Sequence, residues 1–113
     1  MNIFGKTLVD DTEIAWEELS GGLKRKIMSY DNDVMLMKVA FEKGGIGTLH
    51  SHPHKQISYI AKGKFEVTIG EDTKILSEGD VYFAPSSITH GVVCLEEGLL
   101  IDVFNPMRED LIK

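Results

Sequence analysis

Three of the chain's four histidines fall within five residues, as His50-Ser51-His52-Pro53-His54, with Gln56 just beyond and His90 far downstream. Neutral imidazole is the commonest metal ligand near pH 7. Residues i and i+2 of an extended strand point to the same face, so an extended segment aims the rings of His50 and His52 at one point. With Gln56 opening the next strand and His90 on a later one, a barrel can gather all four groups inside it. The resulting donor set is three imidazoles and an amide oxygen, all neutral. A divalent ion held there keeps its full charge and acts as a strong Lewis acid. Ni, Zn, Fe, Mn and Co all accept such donors, so the metal itself is left open. Pro53 cannot donate to a ladder and marks a bend, which places His54 at the pocket rim or behind the metal ligands.

A second group of residues lies near the C-terminus. Asp102 sits between Ile101 and Val103 in an apolar run, and a buried carboxylate needs a partner. Two roles follow. Asp102 is either paired structurally with Arg108 or Arg25, or it is a general acid/base facing the metal, with burial moving its pKa toward the working range. Phe104 shares its strand face. Arg108 follows Pro106, and its planar fork suits bidentate binding of a carboxylate.

The elements that must position these groups read as short strands separated by turns. Strand signals cover 34–41, 56–61, 65–69, 73–76, 81–84, 90–95 and 99–104. Lys62-Gly63-Lys64 reads as a hairpin between two of them, and Glu96-Glu97-Gly98 as a hairpin between the last two. Helical signals are thin: one turn over 14–19 and one over 108–112. Strands this short and this regularly spaced predict an all-β antiparallel sandwich or barrel. Leu99, Ile101 and Val103 alternate with Leu100 and Phe104, so this strand is apolar on both faces and needs cover on both. In a small protein a second subunit supplies that cover, which predicts a homodimer.

The 113 residues suit a single domain spanning 1–113. The net charge is −6, which argues against nucleic acid or an anionic membrane as partner. Lys24-Arg25-Lys26 is the one basic run and reads as an exposed turn or strand edge. No stretch reaches the length of a membrane span, no signal peptide is visible, and the single cysteine, Cys94, reads as core in a reducing cytosol. These features predict a cytoplasmic protein.

The motifs carry a family resemblance. Gly44-x5-His50-Ser51-His52-x3-Gln56-x6-Gly63 resembles the first cupin motif, and Gly79-x5-Pro85-x-Ser87-x2-His90-x3-Cys94 resembles the second. Gln56 stands where cupins usually carry Glu, Ser87 where they carry Gly, and Cys94 where they carry Asn. Within cupins, the chain is similar to the small one-domain KdgF-type proteins of pectin and alginate breakdown. The stretches that carry this are Trp16-Glu17, Gly21 through Lys26, His50 through Gln56, Pro85 through Val92 and Leu100 through Asp110. Lys55, Asn105 and Met107 depart from that group's pattern.

The resemblance implies a double-stranded β-helix (the cupin jelly-roll barrel) with short terminal extensions, and His50, His52, Gln56 and His90 holding a divalent transition metal. It also implies conversion of 4,5-unsaturated monouronates to linear keto sugar acids. In that scheme Asp102 moves the proton, Arg108 grips the anionic sugar and Phe104 walls it in. Rival readings on the same fold are a non-catalytic metal- or sugar-binding cupin, and a dioxygenase or isomerase acting on another small molecule.

Overall fold

The computed structural model describes residues 5–112. Its strands are β1 (Glu17–Glu18), β2 (Leu23–Tyr30), β3 (Met35–Phe41), β4 (Ile46–His50), β5 (Lys55–Ile69), β6 (Asp72–Ser77), β7 (Val81–Ala84) and β8 (His90–Asn105). Two short 3-10 turns, Asp11–Glu13 and Glu109–Leu111, are the helical elements among the described residues.

The long strands β5 and β8 organise the barrel. They pair antiparallel from Lys55↔Asn105 to Ile69↔His90, and each takes different neighbours at its two ends. The first half of β5 pairs with β7 and the second half with β6. β8 begins against β4 and ends against β3, to which β2 and then β1 are added. All eight strands are thereby linked into one sheet, which curls around a shared interior as the expected jelly-roll barrel.

Strand alternation fills that interior. Met35, Met37, Val39 and Phe41 of β3 are buried and alternate with half-buried residues. Phe41 meets Phe65 edge-on, with ring centroids 5.1 Å apart. Phe65, Phe104, Met35, Ile60 and Leu100 are essentially inaccessible, and burial of each contributes about 1.5–3 kcal/mol relative to exposure. Cys94 belongs to the same cluster.

Both hairpin expectations are corrected. Lys62-Gly63-Lys64 does not reverse the chain but lies inside β5, at an irregularity in its pairing with β8. Ile60 opposes Leu100 and Phe65 opposes Cys94, so five steps along β5 answer six along β8. The offset switches which residues of β5 face inward. Gln56, Ser58 and Ile60 do so before it, and Phe65 and Val67 after it. Likewise 90–95 and 99–104 do not pair with each other but form the single strand β8.

Glycine was misread as a turn signal at both places. The backbones pass so closely that a Cβ on Gly63 would lie 2.5 Å from the Glu97 carbonyl oxygen, and one on Gly98 2.5 Å from that of Lys62. Gly63 also holds φ +89°, which disfavours any L side chain.

The helical turn expected over 14–19 is absent, and the chain enters β1 there. The basic run is not an exposed edge either. It lies on β2, where Lys26 is 6% exposed, contacts the Asp11 carboxylate at 3.2 Å and donates to the Asp11 carbonyl at 3.0 Å. Lys24 and Lys26 both lie against the Trp16 ring, 4.9 and 4.8 Å from its centroid. The N-terminal segment thus straps across β2 by charge and cation–π contact. No helix among the described residues is long and apolar enough to cross a membrane.

Candidate active site

The histidines converge because of strand register rather than simple alternation. His50 ends β4 and His90 begins β8, and the two are direct cross-strand partners, with ring centroids 4.4 Å apart. His52 is not on the strand with His50; it lies in the β4–β5 loop. That loop is pinned from the other side, where Ser87 N–H donates to the His52 carbonyl at 2.8 Å and the Ser86 hydroxyl to the Pro53 carbonyl at 2.6 Å. Ser87 sits at φ 65°, a left-handed conformation that glycine adopts more cheaply. This accounts for the glycine usual at that place in the second motif.

Each imidazole is locked in the same tautomer. The Nδ1–H of His50 donates to the Thr48 carbonyl at 2.7 Å, that of His52 to the His54 carbonyl at 3.0 Å, and that of His90 to the Ile88 carbonyl at 3.0 Å. With Nδ1 carrying the proton, each Nε2 presents a lone pair. Gln56 Oε1 lies 3.1 Å from His52 Nε2 and 3.2 Å from His90 Nε2. Nitrogens of the three rings lie within 4.8 Å of one another. Four acceptors crowd together with no proton to share, an arrangement that a cation relieves. The donor set therefore fits a divalent transition ion, and the backbone carbonyls behind the rings are the outer partners that metal-ligating histidines ordinarily have. Burial, reinforced by the Arg108 charge, holds His52 and His90 below the usual imidazole range and keeps them neutral. His54 stands outside the cluster. Its ring packs edge-on against His52 at 5.5 Å, and its Nδ1 is buried without a hydrogen-bond partner among the described residues.

Asp102 faces the same interior. It is 6% exposed, and among the described residues its close partner is neither Arg108 nor Arg25 but Ser58, whose hydroxyl donates to Oδ1 at 2.6 Å. Burial pushes its carboxyl up to about 6, opposed by the Ser58 hydrogen bond and the Arg108 charge. Ser58 in turn accepts from Gln56 Nε2 at 2.9 Å, and the Tyr82 hydroxyl accepts from the same nitrogen at 3.3 Å. Register explains the cluster: Ser58 opposes Asp102 on one side and Tyr82 on the other.

Phe104, 1% exposed, stacks edge-on to His52 at 5.9 Å and carries the Arg108 guanidinium 5.2 Å over its ring. Arg108 is held on one edge by Asp110, through Nε at 3.0 Å and Nη2 at 2.8 Å. His50, Gln56, His90, Asp102, Phe104 and Arg108 border a cavity of about 200 Å³. Arg25 lines it from β2, with its Nε donating to Glu17 at 2.9 Å.

Neither Ser58 nor Tyr82 was singled out from the sequence. The signal for Ser58 was present: it lies two residues after Gln56 on the same strand, so an inward Gln56 forces an inward Ser58.

Residues 37–104 match the cupin domain model. The chain is 51% identical over 104 residues to the pectin degradation protein KdgF of Dickeya dadantii, covering 90% of this chain and 94% of that protein. Among solved structures, an RmlC-like cupin from Shewanella frigidimarina superposes with TM-score 0.94 at 37% identity, covering 96% of this chain and 98% of that one. KdgF from Halomonas sp. superposes with TM-score 0.91 at 38% identity, covering 95% and 99%. By barrel, motifs and relatives alike, the chain belongs to the cupin family, within the group that includes KdgF.

Proposed function

We propose that the protein is a metal-dependent enzyme that converts 4,5-unsaturated monouronates, from pectin or alginate breakdown, into linear keto sugar acids. The observation that carries this reading is the buried Asp102 carboxyl, held near neutrality beside the histidine cluster. A module that only binds a sugar or a metal has no use for such a group. The similarity to proteins named for pectin degradation supports the substrate class.

The reaction is an isomerisation without oxidant or reductant. Opening the ring frees an enol-like oxygen. Its proton must leave and a proton must arrive at the neighbouring carbon. Asp102 is placed to take the first and return the second, since a group titrating near the working pH does both. A divalent ion on His50, His52, Gln56 and His90, when bound, supplies positive charge to substrate oxygens. Phe104 gives the sugar ring an apolar wall. Arg108 offers the edge of its guanidinium that Asp110 does not occupy, which a carboxylate can engage.

The test is to mix metal-loaded and chelator-treated protein with unsaturated monouronate and follow the absorbance of the conjugated acid. Metal-dependent bleaching under anaerobic conditions supports the reading, no acceleration refutes it, and oxygen consumption points instead to a dioxygenase. Arg108→Ala should raise KM by roughly 10- to 100-fold with a smaller change in kcat, as expected when a charged hydrogen bond to substrate is lost. An unchanged KM removes the clamp from the scheme.

We also propose that the protein is a cytoplasmic homodimer. Ile57, Tyr59, Val81 and Phe83 are each about half exposed and adjoin one another by register, on the outer side of β5 and β7. Two copies of a chain with net charge −6 repel each other. An uncharged apolar face adds no local like-charge contacts and offers burial that offsets the repulsion, and such a face can meet itself about a two-fold axis. Sedimentation velocity should show a dimer that Phe83→Asp converts to a monomer; a monomeric wild type refutes this.

A further inference from the structure

We propose that Ser58 and Tyr82 are positioning residues that fix which end of the Gln56 amide faces the histidines, with Ser58 tying that choice to Asp102. For its activity arm this inference rests on the function proposed above; its metal-binding arm does not.

The argument is an accounting of protons. Gln56 Nε2 carries two hydrogens, and Ser58 Oγ and Tyr82 Oη accept one each, at 2.9 and 3.3 Å. Turning the amide over would place Oε1 against two hydroxyls that can both donate. Hydrogen-bond counting at Gln56 alone would therefore tolerate either orientation. Asp102 breaks the tie. Ser58 has one proton, and it is committed to Asp102 Oδ1 at 2.6 Å. Withdrawing it to serve a reversed Gln56 would leave Asp102, 6% exposed, without its donor, and an unsatisfied buried carboxylate is costly. Ser58 must therefore accept from Gln56, the nitrogen must face Ser58, and Oε1 must face His52 and His90. The oxygen is turned toward the metal by a fully buried serine that touches neither metal nor substrate.

The experiment uses cobalt(II) as the probe, because its visible spectrum reports the donor set. Wild type, Ser58→Ala, Ser58→Thr and Tyr82→Phe are stripped with chelator, checked for fold by circular dichroism, and titrated with cobalt(II) against a competing chelator. Ser58→Ala should bind cobalt roughly 10- to 100-fold more weakly, the range for lost outer-shell support, with an altered visible spectrum. Ser58→Thr, which restores the hydroxyl, should recover both. Tyr82→Phe should lose affinity in the same direction by less. Turnover of unsaturated monouronate should fall in Ser58→Ala through kcat with KM little changed.

Wild-type cobalt affinity and spectrum in Ser58→Ala overturn the proposal whatever the activity. If that variant does not fold, wild-type values in Tyr82→Phe do the same. Should wild type prove inactive on uronate while Ser58→Ala still loses cobalt, the positioning role stands and the proposed activity falls.

Discussion

Replacing Asp102 with Asn should lower turnover by roughly two to four orders of magnitude, the span ordinarily supplied by a general acid/base, while the protein remains folded and loaded with metal. Asn has nearly the shape of Asp, and its amide oxygen can still accept from Ser58, so packing around β8 is conserved. What it cannot do is take up a proton and give it back. Burial is the cause of the reactivity. It raises the Asp102 carboxyl to about 6, so near neutral pH the group is ionised enough to accept a proton and acidic enough to release it. Steady-state kinetics and metal analysis on the same preparation check this. An Asp102→Asn enzyme with full activity would leave the buried carboxylate with a structural role only.

The second large effect concerns the histidines. Adding nickel or zinc to the stripped protein should raise its melting temperature by on the order of 10 °C when the free metal exceeds its dissociation constant about 100-fold. Ligand linkage is then worth about 2.7 kcal/mol, and one kcal/mol moves a domain of this size by several degrees. His90→Ala should abolish both the shift and the activity. His90 is the cross-strand partner of His50 and the neighbour of Gln56, so its loss opens the donor set from the middle. Differential scanning calorimetry decides the matter: identical melting curves with and without metal would mean that the four converging acceptors hold no ion.

Much of this site could be read directly from residue types. Clustered histidines are hard to explain as packing, and a lone Asp in an apolar strand is conspicuous, so His50, His52 and Asp102 stood out. His90 joined them as the one histidine outside the cluster that a later strand could bring back. Strand positions were mostly legible for the same local reason, since alternation and β-branched residues are written in the segment itself. The connections between strands were not. Gly63 and Gly98 look like turn residues, yet they are small because two backbones cross there. Only the paired structure reveals that β5 and β8 run through them. β2 was obscured because Lys24, Arg25 and Lys26 look solvent-seeking, and the partners that make them strand residues, Asp11, Trp16 and Glu17, lie several residues earlier. Spacing from Gln56 points Ser58 inward, but its role was not legible, because what its hydroxyl does depends on Asp102 and Tyr82, which lie far away in sequence.

The offset between β5 and β8 governs how this chain can change length over evolution. A one-residue insertion or deletion before it turns Gln56 and Ser58 outward and brings Ile57 and Tyr59 into the site, which destroys the chemistry while leaving plausible strands. The same slip after it expels Phe65 and Val67 from the core. At the offset itself the strands already differ by one residue, so mismatch there is absorbed rather than passed on. The catalytic half and the packing half of the barrel are thereby kept in phase separately, and sequence drift in one half does not scramble the other.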